Sequence, residues 1–124
     1  MQQPSLDEIG KQFAMQYYDK LKTARQTIGS FFHEQARMIY EGVEAVGRDA
    51  IAMKLMELKC NTLNVFLTSV DTLSVENSLV ILVCGQLQCD EDRPLSFCET
   101  FTLSMVNGCF LVSNSIFRLN IHHF

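Results

Sequence analysis

Leu95-Ser96-Phe97-Cys98-Glu99-Thr100-Phe101-Thr102-Leu103-Ser104-Met105 is the stretch that decides the fold. Leu95, Phe97, Phe101, Leu103 and Met105 alternate with small polar residues. Strict alternation predicts a strand with one face against a core. Glu99 breaks the pattern, because it falls on the apolar face. Asn107-Gly108 follows directly. Both residues tolerate positive φ, so the pair predicts a type I′ hairpin into a last strand from Phe110 to about Ile121. Working backwards, Leu79 to Leu87 is apolar at both parities and reads as a strand covered on both sides. Leu63, Val65 and Leu67 alternate with Asn64, Phe66 and Thr68 as a further strand.

Upstream of Leu63 the period is helical. Ser5 with Glu8 three residues later forms a capping box. Leu6, Ile9, Phe13, Tyr17 and Leu21 then make one apolar helix face. Thr23 and Gln26 predict the cap of a second, shorter helix carrying Ile28, Phe31 and Phe32, ended by Gly29 and His33-Glu34-Gln35. Met38, Ile39 and Tyr40 predict a strand, and Gly42 a turn. Gly47 opens a third helix with Ile51, Leu55 and Leu58 on one face. The expected fold class is α+β, cone-like, with three N-terminal helices packed on a strongly curved antiparallel sheet. The helices cover its concave face. The convex face stays partly apolar, which a two-fold homodimer packing sheet on sheet would bury.

At 124 residues the chain is read as a single domain, 1–124, and its 48% hydrophobic content argues against disorder. Ten basic and fourteen acidic residues give a net charge of −4. With no Lys/Arg cluster, neither nucleic acid nor an anionic membrane is an expected partner. The N-terminus has no signal-peptide pattern, and no apolar run is long enough to span a bilayer. Five cysteines, Cys60, Cys84, Cys89, Cys98 and Cys109, contain no CxxC pair and read as reduced structural thiols.

Chemistry-bearing patterns are sparse. Gly85-Gln86-Leu87-Gln88-Cys89-Asp90-Glu91-Asp92 runs an apolar strand into three carboxylates. That arrangement suits a basic, partly apolar partner, and it lacks the spacing of a calcium loop. His122 and His123 are strand neighbours pointing to opposite faces, a poor metal pair. Tyr17 is expected in the core, with Tyr18 capping a cavity. Arg118, between Phe117 and Leu119, is expected to pair with a carboxylate, Glu99 being one candidate.

Several segments resemble the nuclear transport factor 2 family. They are Phe13-Ala14-Met15-Gln16-Tyr17-Tyr18, Tyr40-Glu41-Gly42, Gly47-Arg48-Asp49-Ala50-Ile51, Lys54-Leu55, the Gly85–Asp92 stretch and Ile116-Phe117-Arg118-Leu119-Asn120-Ile121-His122. They occur in order from about residue 6 onward. The resemblance implies a homodimeric cone protein that binds Ran-GDP and the Phe-Gly repeats of nuclear pore proteins. It implies residence in cytoplasm and nucleus and at the pore, no enzymatic activity and no cofactor. It also implies a Ran-binding rim of Glu41, Asp90 and Asp92. The cavity would be walled by Tyr40, Leu58, Leu63, Leu95, Ile116 and Phe117. Leu6 would serve the Phe-Gly repeats.

Three departures bear on these expectations. Leu6 stands where many members carry Trp, which predicts repeat binding weakened by about 1 kcal/mol. Val65 replaces a His typical of animal forms, and Asn114-Ser115 replaces the usual Asn-Asp. A divergent adaptor of the same fold without Ran is therefore an alternative. So is a cone-fold lyase or isomerase, which needs an acid–base pair inside the cone.

Overall fold

The computed structural model describes residues 5–120. The expected Ile121, His122 and His123 ending therefore lies outside the described residues. Helix α1 spans Leu6–Thr23, with the Ser5 hydroxyl accepting the Glu8 N–H at 3.2 Å. Asp7 and Glu8 sit in its first turn and Lys20 and Lys22 in its last, matching the helix dipole. Its buried side is wider than the predicted stripe and includes Gly10, Ala14 and Tyr18 with Tyr17 and Leu21.

The second predicted helix is a single 3-10 segment, Arg25–Phe31, and its N-cap is Ala24. Thr23 belongs to α1 and its hydroxyl donates to the Asp19 carbonyl, so it caps nothing. Strand β1 begins already at Phe32 and runs to Tyr40, taking in His33-Glu34-Gln35. Phe32 and Arg37 pair with the last strand on either side of a register shift, and the three polar residues between them are carried along in the strand despite their helix-ending look. A short strand β2, Val43–Val46, folds back on β1 with Arg37 paired to Glu44. Helix α2 spans Arg48–Met56 from Gly47, whose φ of 96° suits glycine. Leu58 lies beyond its end.

Strands β3 (Leu63–Val75), β4 (Ser78–Cys89), β5 (Leu95–Val106) and β6 (Cys109–Leu119) form a meander. The β5–β6 turn is the expected one, with Asn107 at φ 51° and Gly108 at φ 83°. The sheet order is β2-β1-β6-β5-β4-β3. The expectation of an antiparallel sheet needs one correction, because β1 runs parallel to β6 and the sheet is mixed. A crossover joining residues some eighty apart leaves no local signal. Register shifts between Leu67 and Ser69 and between Thr102 and Leu103 mark bulges that bend the sheet. Helix α1 packs over β3 and α2 over β1. Ile28, Phe32, Met38, Ile51, Ile81, Phe97 and Phe101 are fully buried between the layers.

The five-thiol expectation is also corrected. Cys60 and Cys89 are joined as a disulfide with their Cα atoms 5.4 Å apart. The two lie 29 residues apart, at the entry to β3 and the end of β4, and only strand pairing brings them together. Titration of the denatured, unreduced protein with a thiol reagent is expected to count three thiols, Cys84, Cys98 and Cys109. After reduction it should count all five. A count of five before reduction would contradict the bond.

Candidate functional site

The open end of the cone holds a cavity of about 150 Å³. Its wall comes from every layer: Tyr17, Tyr18 and Leu21 of α1, Tyr40 of β1, Leu55 of α2 and Leu58 just after it, and sheet residues including Phe97, Glu99 and Phe117. Cys60 and Cys89 lie on the wall as well, so the disulfide borders the space. Tyr40 stacks on Phe117 with ring centroids 4.6 Å apart, and Phe117 stacks on Phe97 at 5.6 Å. Arg25 fixes the mouth by donating to the carbonyls of Leu21, Leu58 and Cys60.

Of the six residues expected to wall the cavity, four line it: Tyr40, Leu58, Leu63 and Phe117. Two do not. Ile116 neighbours Phe117 on a strand, so alternation turns it to the outer face, where it is 49% exposed. Leu95 has the inward parity but opens β5 beyond the cavity and is 36% exposed. Val65 and Leu87 take part in the wall instead.

The three expected rim carboxylates sit on two turns beside this space. Glu41 has φ 50° and follows Tyr40; its N–H bonds the Phe117 carbonyl and its carboxylate accepts the Leu119 N–H. Asp90, at φ 55°, follows Cys89. Its Oδ1 accepts the N–H groups of Asn61 at 3.0 Å and Thr62 at 2.8 Å, which ties the β4 end to the loop before β3. Asp92 is exposed, and its N–H bonds the Cys89 carbonyl. Glu41 and Asp90 thus hold backbone as well as carrying charge, whereas no side-chain bond engages the Asp92 carboxylate among the described residues. Asp90 also groups with Cys60 and Cys89 as a conceivable metal set. The two sulfurs are bonded to each other, so the donors are spent.

Glu99 is the residue whose role the sequence left open. It is 3% exposed and reaches the cavity. It accepts hydrogen bonds from the Tyr18 hydroxyl at 2.8 Å and the Ser115 hydroxyl at 3.2 Å. Burial pushes its carboxyl up to about 7, and the two hydrogen bonds pull the other way. Burial, then the Glu99 charge, raises the Tyr17 and Tyr18 hydroxyls, and the same two causes bring Tyr40 to about 12. The expected Glu99–Arg118 pair does not form. Arg118 is registered against Cys98 and is exposed on the other face, with its guanidinium over Gly42. The signal for Glu99 was legible: it is the one carboxylate at an inward position of β5.

Leu6 is the first residue of α1 and is 39% exposed. On the outer face of the sheet, Leu82, Thr100, Ile116 and Ile39 stand in one row across β4, β5, β6 and β1. Leu82 is 41% exposed there. Among the described residues no helix is long and apolar enough to cross a membrane.

A mixed sheet wrapped by helices around an apolar cavity defines a protein of the cone-shaped α+β class. Residues 9–119 match the family described as Nuclear transport factor 2 (NTF2) domain. The chain is 31% identical over 119 residues to nuclear transport factor 2 of Dictyostelium discoideum, covering 94% of each. It is 31% identical over 117 residues to the Oryza sativa subsp. japonica protein of that name, covering 92% of this chain and 96% of the other. The solved structure of nuclear transport factor 2 from Cryptosporidium parvum superposes with a TM-score of 0.88 at 32% identity, over 94% of this chain and 96% of that one. This chain belongs to the nuclear transport factor 2 family.

Proposed function

We propose that this protein is a nuclear import carrier, not an enzyme, that binds Ran-GDP and nuclear pore Phe-Gly repeats as a homodimer. The observation that carries the reading is a ring-sized apolar cavity with carboxylate-bearing turns, Tyr40-Glu41-Gly42 and Cys89–Asp92, at its edge. An aromatic side chain of Ran would be desolvated in the cavity, and basic residues of Ran would meet Glu41, Asp90 and Asp92. A buried anchor ringed by charge combines affinity with orientation. The outer row of Leu82, Ile116 and Ile39 supports the homodimer, since a sheet-on-sheet contact would cover it. Leu6 offers the Phe-Gly repeats an exposed apolar side chain without a flat aromatic face. The reading places the protein in cytoplasm and nucleus and at the pore.

Calorimetric titration with Ran-GDP, then with Ran bound to a GTP analogue, tests this. Micromolar or tighter binding to the GDP form alone is expected. Asp92→Asn should weaken it by about tenfold while leaving stability unchanged, because its carboxylate carries no structural bond. Asp90→Asn is the poorer probe, since it would also loosen the Asn61 and Thr62 turn. Absence of binding to either form would remove the Ran assignment and favour the adaptor alternative.

The second reading is a cone-fold lyase or isomerase. Glu99 and Tyr18, hydrogen-bonded inside the cavity, are the acid–base pair that it needs and that sequence reading did not find.

A further inference from the structure

The Tyr17 hydroxyl is a buried donor in the cavity wall with no hydrogen-bond partner among the described residues. Tyr17 itself is 1% exposed. A buried hydroxyl left unpaired is costly, and native proteins rarely keep one without a reason. Across the same wall, Glu99 presents a carboxylate that takes one hydrogen bond on each oxygen, from Tyr18 and from Ser115. Each carboxylate oxygen has room for a further donor. The rest of the wall is mainly aliphatic and aromatic, with Phe97 and Phe117 stacked side by side on it and Lys59 and the Cys60–Cys89 disulfide at its border. The cavity volume of about 150 Å³ suits a single six-membered ring; a cavity of that size in an apolar core is known to take benzene.

We propose that this cavity is a binding site for small monocyclic phenols. The ring would lie against Phe97 and Phe117. Its hydroxyl would accept from Tyr17 and donate to Glu99, so that one polar atom satisfies the unpaired donor and uses the spare acceptor. Complementarity of this kind gives selectivity, because a ring without the hydroxyl leaves the Tyr17 donor buried and unpaired. The site needs neither Ran nor the pore, so it stands or falls separately from the transport reading.

The probe is phenol, with toluene as the isostere that replaces hydroxyl by methyl. Both are titrated into the intact protein by NMR, following the aromatic resonances of Tyr18, Phe97 and Phe117. Saturable binding of phenol is expected, with nuclear Overhauser contacts from its ring to Phe97 and Phe117. Phenol should bind at least about tenfold more tightly than toluene, as one further buried hydrogen bond implies. Tyr17→Phe removes the donor and keeps the ring, and should reduce that preference by about tenfold. Equal affinity for phenol and toluene would overturn the proposal. So would the absence of saturable binding, or a preference that is undiminished in Tyr17→Phe. Should that variant fail to fold, the phenol-to-toluene ratio of the unaltered protein still decides the matter.

Discussion

Gly85→Ala is expected to destabilise this protein by about 3 kcal/mol or more, measured as a shift of the urea midpoint at unchanged slope. A Cβ built on Gly85 would lie 2.4 Å from the Phe66 carbonyl oxygen and 3.2 Å from the Leu67 Cα. Both obstacles are backbone, so no side-chain rotation relieves them. Gly85 is paired with Leu67, where β3 slips register before Ser69. The bulge swings the β3 backbone over β4, and glycine is the residue that leaves it room. Relief requires β3 and β4 to separate locally, which breaks ladder hydrogen bonds next to Val65 and Leu87 on the cavity wall. The variant should therefore also weaken whatever binds in the cavity. A loss below about 1 kcal/mol would show that the bulge is soft and that this account of the glycine fails.

Glu99→Gln is expected to raise stability above pH 7 and to flatten its dependence on pH. The Glu99 carboxyl is held at about 7 in the fold, against an ordinary 4.5 in the unfolded chain. Between those values the native state keeps its proton while the unfolded state has lost it. Stability therefore falls as pH rises from about 4.5 to about 7, and the full penalty applies above that. The gap corresponds to about 3 kcal/mol. Glutamine keeps the size of the side chain, an oxygen for the Tyr18 hydroxyl and an amide for the Ser115 hydroxyl. It cannot ionise, so it carries no such penalty. Chemical denaturation of both proteins at pH 5 and pH 8 reads the effect as a difference, in which other titrating groups cancel. A difference that stays the same at the two pH values would show that Glu99 titrates normally. Ser115 belongs to the same argument. An Asp at that position would set a second carboxylate against Glu99; the serine supplies a donor instead.

Much of the fold was legible because its signals are local. The Ser5 cap, the helical stripe of α1 and the period-two run of Leu95–Met105 each stand within a few residues. Asn107-Gly108 is likewise a two-residue statement about positive φ. Other elements were misread where long-range pairing decides. Val43–Val46 is too short to display a period, and it is a strand only because β1 lies beside it. Phe32 to Gln35 looks like a helix end, yet the pairing of Phe32 and Arg37 with β6 on either side carries the strand through it. Arg25–Phe31 takes the 3-10 form, a distinction that apolar spacing does not carry.

The candidate site divides the same way. The marks implied by the family resemblance pointed to Tyr40, Leu58, Leu63 and Phe117, and all four meet at the cavity. The same marks drew in Ile116 and Leu95, which strand parity and strand-end position keep out. Asp90 was visible as a charge, while its two backbone hydrogen bonds were not.

By itself, then, the sequence determined the α+β class, the order of nearly all the elements and the presence of a carboxylate among apolar neighbours in β5, because periodicity, caps and turns act over a few residues. The tertiary structure alone decided that β1 runs parallel to β6, that Cys60 meets Cys89, and that Glu99 lies buried between Tyr18 and Ser115 with Arg118 on the far face. Those contacts join residues far apart in the chain. Their energies come from burial and pairing across the sheet, which exist only once the layers have closed.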